Sequence, residues 1–277
     1  MLWGVVIILA SVPGNSTRDW LQKTREGQQL AMGWRLLYQV DAVDSLVEAI
    51  ESIANRIKNN LGGTIVGEYV GNVDVYYRKD KADTKSRGVG AAAPAIARKM
   101  CRVAFSDPKD SEYFVLEELE SKSHSKCIQT DVVETSHDFG KILDNSHSAI
   151  QKRHTFRVQG LAYRVSDFVV RFGALSAPGF NKNSAVLEIE YEACAVSELA
   201  SPIINEFAIC LIGPLYSGHQ NKKKVARVRR VAVRYEDLKL SKKDLYSQRH
   251  RAAQYAQLTV STNEDTKTSA GGSGTIR

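Results

Sequence analysis

The chain has 277 residues, 43% of them hydrophobic and 25% charged, which is enough to bury a sizeable core without disulfide staples. That composition excludes a mini-protein scaffold, a chain disordered throughout and a membrane-spanning bundle. The net charge of +7 is local: between His219 and Arg251 stand twelve basic residues against three acidic ones, so the rest of the chain is close to neutral. One basic patch on a near-neutral body argues against a protein that coats nucleic acid or membrane with its whole surface.

Met1 to Ala10, MLWGVVIILA, is an apolar run that lacks the basic flank and small-residue cleavage site of a secretion signal and is too short to span a bilayer. It reads as a buried strand closed by Pro13-Gly14. Thr17 to Tyr38 is polar and rich in Gln and Arg, and reads as an irregular or partly helical connection. From Val43 to Ile57 the apolar positions recur at helical spacing, with Asp41 as a possible N-cap and Leu61-Gly62-Gly63 as the stop. Thr64 to Tyr77 is rich in Val, Ile, Thr and Tyr and predicts a strand, bent near Gly67 and Gly71. After the small, charged loop Asp80 to Pro94, short strands are expected over Lys99 to Phe105, Glu112 to Leu119 and Lys126 to Val132.

Thr135 and Asp138 stand at capping-box spacing before a second helix that reaches Ile150. Thr155 to Phe172 and Ser184 to Val196 predict a long hairpin turning at Pro178-Gly179, with Leu187, Ile189 and Tyr191 alternating against Glu188, Glu190 and Glu192. A third helix is expected from Ser201 and Pro202 to a stop at Gly213-Pro214, and a fourth opened by Ser241 and Asp244. Strands in clusters, punctuated by isolated helices, predict an α+β fold: an antiparallel, tunnel-like β-barrel with helices flanking it on the outside. Residues 1–260 are expected to form this single barrel domain, carrying a basic insertion near 219–235, and Ser261 to Arg277 a disordered tail.

Candidate chemistry is sparse. No nucleophile motif is present, Gly88 and Gly90 lack the third glycine of a dinucleotide fingerprint, and the six histidines are dispersed. Cys101, Cys127, Cys194 and Cys210 stand too far apart for a CxxC site and are expected as reduced, buried thiols. No catalytic residue, metal or cofactor is therefore assigned.

Two constellations remain. Glu188, Glu190 and Glu192 project to one side of a strand, and inside a basic-lined lumen they could hold a divalent metal against a triphosphate, as in tunnel-fold phosphohydrolases. Those enzymes need further acidic strands that this chain lacks. The favoured reading is a solvated face pairing with Arg164, Arg171 or other neighbours. Lys222, Lys223, Lys224, Arg227, Arg229 and Arg230 could meet an acidic partner or serve as a nuclear import signal, or could form a solvated loop. With only Tyr235 and Tyr246 nearby, neither base stacking nor sequence-specific nucleic-acid recognition is indicated.

The hairpin and the helix after it carry Gly160, Tyr163, Asp167-Phe168, Val170 and Gly173, then Glu190-Tyr191, Cys194 and Glu206-Phe207. In these positions the chain resembles the subunit 20 family of the Mediator complex. The elements from Val43 to Leu211 also follow the family's order, with Met1 to Val12 in the place of a first strand. The resemblance implies a nuclear, non-enzymatic subunit of the Mediator head. It implies pairing with the related barrel of Mediator subunit 18, seating on a helix of subunit 8, contact with other head subunits, and an indirect link from regulators to RNA polymerase II. Pro13 to Val40, Asp80 to Pro94 and the basic run from His219 to Arg230 depart from the family pattern.

Overall fold

A computed structural model describes residues 32–42, 45–78, 98–107, 111–119, 127–145, 150–177, 184–216, 226–238, 240 and 245–270. The chain divides into two compact units, Met1–Ala31 and Met32–Arg277, and every described residue belongs to the second. The strand expected over Met1 to Val12 and the loop Asp80 to Pro94 lie outside the described residues, as do Lys222 to Lys224 and the Ser241 to Asp244 capping box.

Nine strands form one antiparallel sheet in the order β5-β4-β3-β2-β6-β7-β8-β1-β9. They are β1 (Trp34–Ala42), β2 (Thr64–Arg78), β3 (Arg98–Phe105), β4 (Ser111–Leu119), β5 (Cys127–Ser136), β6 (Ile150–Val165), β7 (Phe168–Ser176), β8 (Ser184–Tyr191) and β9 (Ala226–Arg230). Four described helices accompany them: α1 (Leu46–Asn55), α2 (His137–Asn145), α3 (Ser197–Tyr216) and α4 (Gln248–Ala270). The fold is α+β and barrel-like, as expected, but the sheet is not closed: among the described residues β5 and β9 are its two edges.

How far it curls follows from α4. This helix touches β1 at one end of the sheet and β2, β3, β4 and β5 toward the other, so the sheet wraps round it. Tyr235–Leu238, just after β9, comes close to β5 and narrows the opening without a hydrogen-bonded ladder between the two edges. The other face carries α1 and α3 over β1 and β8, and α2 over β4 and β5. Three helices flank the barrel; the fourth fills it, where the sequence reading placed every helix outside.

Several elements differ from the sequence reading for local reasons. Trp34–Ala42 is a strand, buried as far as Val40, whereas its residues up to Tyr38 read as an irregular connection. Arg35 and Gln39 are buried beside Leu36, Leu37 and Val40, so water faces neither side and no polar alternation marks the strand. Asp41 pairs within β1, and Ser45 caps α1 instead, accepting the Glu48 amide at 3.3 Å. The stop at Gly62 holds, with φ +65, a left-handed conformation that glycine adopts without strain.

Thr135 ends inside β5, and α2 starts only at His137. The expected long strand from Thr155 to Phe172 is two strands, because Ser166 takes a left-handed φ of 51 and turns the chain between Val165 and Phe168. α3 begins at Ser197, so Pro202 lies beyond its first turn, and the helix passes Gly213-Pro214 to Tyr216. Ser261 to Ala270, expected as a disordered tail, continue α4. Within the expected basic insertion, Ala226–Arg230 is the edge strand β9, paired to β1 from Tyr38↔Arg230 to Ala42↔Ala226.

Candidate functional site

Register decides where the three glutamates go. Glu188 lies opposite Leu37 on β1 and Arg171 on β7, and Glu190 opposite Arg35 and Val169. Residues so paired share a face, and here it is the face covered by α4. Glu188 is fully buried and Glu190 nearly so, which corrects the expectation of a solvated strand face. Leu187 and Ile189 point the other way and are equally buried. The alternation therefore separates two interior environments.

Glu188 accepts from Arg35 Nη1 at 3.2 Å, Arg171 Nη1 at 2.9 Å, Arg251 Nε at 3.0 Å and the Tyr255 hydroxyl at 2.8 Å. Four donors meet the lone-pair capacity of one carboxylate. Glu190 receives Arg35 Nη2 and Arg171 Nη1, both at 2.9 Å. Asp107 completes the cluster from the loop after β3, 3.2 Å from Arg171 Nη2 and 3.3 Å from Arg251 Nη1. Three guanidiniums thus face three carboxylates, Glu188 and Glu190 buried and Asp107 half exposed at the rim, so the buried charges are compensated. Isolated, any of the buried ones would be costly inside the fold. Glu192 lies outside this cluster: it pairs with Arg164 at the surface.

Aromatic rings insulate the network. The Arg251 guanidinium carbon stands 3.9 Å from the Phe105 ring centroid, and Tyr69 donates to the Tyr255 oxygen at 2.5 Å, extending the chain of hydrogen bonds that ends on Glu188. Burial alone would raise the Glu188 carboxyl; the charges of Arg251, Arg171 and Arg35 overcome it and hold the group down to about 2. Further along α4, Thr259 accepts from Lys99 Nζ at 2.7 Å, and Lys99 pairs with Glu117 at 2.6 Å. The basic residues on α4 and β1 that complete this site, Arg251 and Arg35, were not singled out from sequence. Their only signal was position: one directly before Ala252 and Ala253 in the last helix, the other inside an apolar run.

The arrangement leaves no room for the metal-triphosphate chemistry considered for Glu188, Glu190 and Glu192. Glu188 is filled by three guanidiniums and the Tyr255 hydroxyl, Glu190 is paired to Arg35 and Arg171, α4 occupies the lumen, and among the described residues no cluster of His, Cys, Asp or Glu could hold a metal ion. What the geometry does is pin α4 to β1, β7 and β8.

On the opposite face a second network docks α2. Arg102 grips Glu112 through Nε at 2.8 Å and Nη2 at 2.6 Å, reaches Asp144 at 2.9 Å, and His137 Nδ1 lies 2.5 Å from Glu112. Of the sequence-predicted basic patch, Arg227 and Arg230 are exposed on β9, while Arg229 donates to Gln39 Oε1 at 2.8 Å.

The residues that carried the family resemblance pack as one unit. Phe168 stacks on Phe207 with centroids 4.1 Å apart and meets Tyr191 at 5.0 Å, tying β7, β8 and α3 together. Gly160 pairs with Gly173 where β6 and β7 approach closely. A Cβ on Gly160 would stand 2.0 Å from the Phe172 carbonyl oxygen.

Fold and site together define an α+β protein whose curled antiparallel sheet is filled by its own C-terminal helix. Residues 32–259 match the family model described as the TATA-binding related factor (TRF) of subunit 20 of Mediator complex. The chain belongs to that family and is a Mediator subunit of the transcription machinery. The match starts at Met32, so β1 leads the matched region and Met1 to Val12 precede it. No curated relative matches the sequence significantly. Among solved structures, the PH1012 protein of Pyrococcus horikoshii is 13% identical with TM-score 0.34, over 69% of this chain and 94% of that one. The Schizosaccharomyces pombe Mediator head module is 14% identical with TM-score 0.33, over 65% of this chain and 96% of that one. Likeness at this level carries no functional argument.

Proposed function

We propose that the chain acts as a non-enzymatic subunit of the Mediator head in the nucleus. It pairs with a subunit 18 barrel, sits with that partner on a helix of subunit 8, and helps couple regulators to RNA polymerase II. The observation that carries this reading is the family match over residues 32–259. The ion-paired carboxylates of Glu188 and Glu190 support the non-enzymatic part, because a metal would have to displace Arg35, Arg171 and Arg251 from buried ion pairs. Lys222, Lys223, Lys224, Arg227, Arg229 and Arg230 are proposed as an accessory partner contact or import signal.

Co-expression with a subunit 18 homologue tests the pairing. A stable one-to-one complex on size exclusion is the expected result, and a monomer that ignores that homologue in pull-down overturns it. Replacing Lys222 to Lys224 by Gln in a fluorescent fusion tests import: cytoplasmic retention is expected, and unchanged nuclear accumulation removes that role.

A further inference from the structure

An open cavity of about 540 Å³ lies between α3 and the β1/β9 edge of the sheet. Ile209 and Ile212 from α3 and Val228 from β9 give it apolar walls. Ile209 is 67% exposed, far more than a branched aliphatic side chain inside the core. The polar end is made of Tyr38, Asn205 and Arg230.

The hydrogen-bonding character of that end is one-sided. The Tyr38 hydroxyl donates to Asn205 Oδ1 at 2.9 Å, which occupies the amide oxygen and leaves the amide NH₂ to donate. Burial pushes the Tyr38 phenol up to about 12, with the nearby Arg230 charge opposing, so the hydroxyl stays a neutral donor. Among the described residues no carboxylate pairs with Arg230, and Arg227 stands exposed on the same strand. A guanidinium and an amide donor beside apolar walls are complementary to a carboxylate carried next to aliphatic side chains. The open wall at Ile209 distinguishes the groove from a small-molecule pocket, which encloses most of its ligand's surface. It suits an amphipathic helix laid along a groove.

We propose that this groove docks an acidic amphipathic helix of a partner protein, its apolar side chains against Ile209, Ile212 and Val228 and a carboxylate on Arg230. The inference goes beyond the subunit pairing proposed above and rests on the groove alone.

The test uses the full chain and a fluorescein-labelled, Leu- and Glu-bearing amphipathic peptide, with a copy in which Lys replaces Glu, read by fluorescence anisotropy. The acidic peptide is expected to bind. Arg230→Glu and Ile209→Asp, both at exposed positions, should each weaken it roughly 10-fold, and Arg230→Lys should retain most of the affinity. The Lys peptide should bind Arg230→Glu better than the parent chain. Unchanged thermal melts of the variants assign these losses to the groove. Equal affinity for both peptides, or binding indifferent to Arg230→Glu and Ile209→Asp, overturns the proposal. So does Arg230-dependent binding of decanoate with no binding of the acidic peptide, which would assign the groove to small amphiphilic acids.

Discussion

Arg251 on α4 and Glu188 on β8 are joined Nε to Oε2 at 3.0 Å with both side chains wholly excluded from solvent. Removing either partner strands a buried charge, so Arg251→Met and Glu188→Gln should each cost about 3–5 kcal/mol. The double variant should cost clearly less than their sum, because neither charge is then left unpaired by the other's loss. Urea unfolding of the four chains measures the coupling. Additive losses would show that the pair does not act as a unit.

The same contact predicts an acid limb of stability. Glu188 is held down to about 2 from an ordinary value of 4.5, so near these pH values the unfolded chain binds the proton more readily than the folded one. Its contribution is complete above pH 4.5 and is lost as pH falls toward 2, a difference on the order of 3 kcal/mol. The gap in unfolding free energy between the parent chain and Glu188→Gln should therefore narrow as pH drops through that window. A gap constant from neutral pH down to 2 would contradict it.

Gly160 and Gly67 both sit in strands, yet they should differ sharply in their tolerance of a methyl group. At Gly160 a Cβ would strike the backbone of Phe172 and Gly173, whereas at Gly67 it would meet nothing within 4 Å. Gly160→Ala should lower stability by about 2–3 kcal/mol or prevent folding, and Gly67→Ala should change it little. Thermal melts of the two variants, run side by side, settle the contrast.

Thiol reactivity should follow burial. The Cys101 thiol is buried and pushed up to about 12 by desolvation, with the charge of Glu117 adding and Lys99 opposing. Cys210 is exposed on α3 and Cys194 half-buried. Ellman titration of the folded chain should modify Cys210 without Cys101, which should react only after denaturation. Modification of Cys101 in the native protein would refute its placement beneath α4.

Legibility from the sequence tracked how local each signal was. β3 and β4 were readable to within a residue, and the start of β5 as well, because one β-rich run with turn residues on either side suffices. α1 and its Gly62 stop were readable because caps act within one turn. β1 was not, since a strand covered on one side by α4 and on the other by α3 shows no alternation. The split of β6 from β7 rests on the backbone of Ser166, for which no Gly or Pro gave notice. Glu188 and Glu190 stood out as chemistry, and their alternation with Leu187 and Ile189 was correctly periodic. Which face met water was a separate matter, and the answer was neither.

The order of strands and helices, the family motif from Gly160 to Phe207 and the confinement of excess charge to one segment belong to the sequence, because each is set by neighbours along the chain. The filling of the barrel by α4 belongs to the tertiary structure. Glu188 and Arg251 are sixty-three positions apart, and nothing local requires them to meet; only the curl of the sheet brings β1, β7 and β8 around one helix so that their charges cancel. A row of glutamates that could have lined an open tunnel becomes a lock on the protein's own helix, because burial in low dielectric admits a carboxylate there only with guanidiniums to meet it.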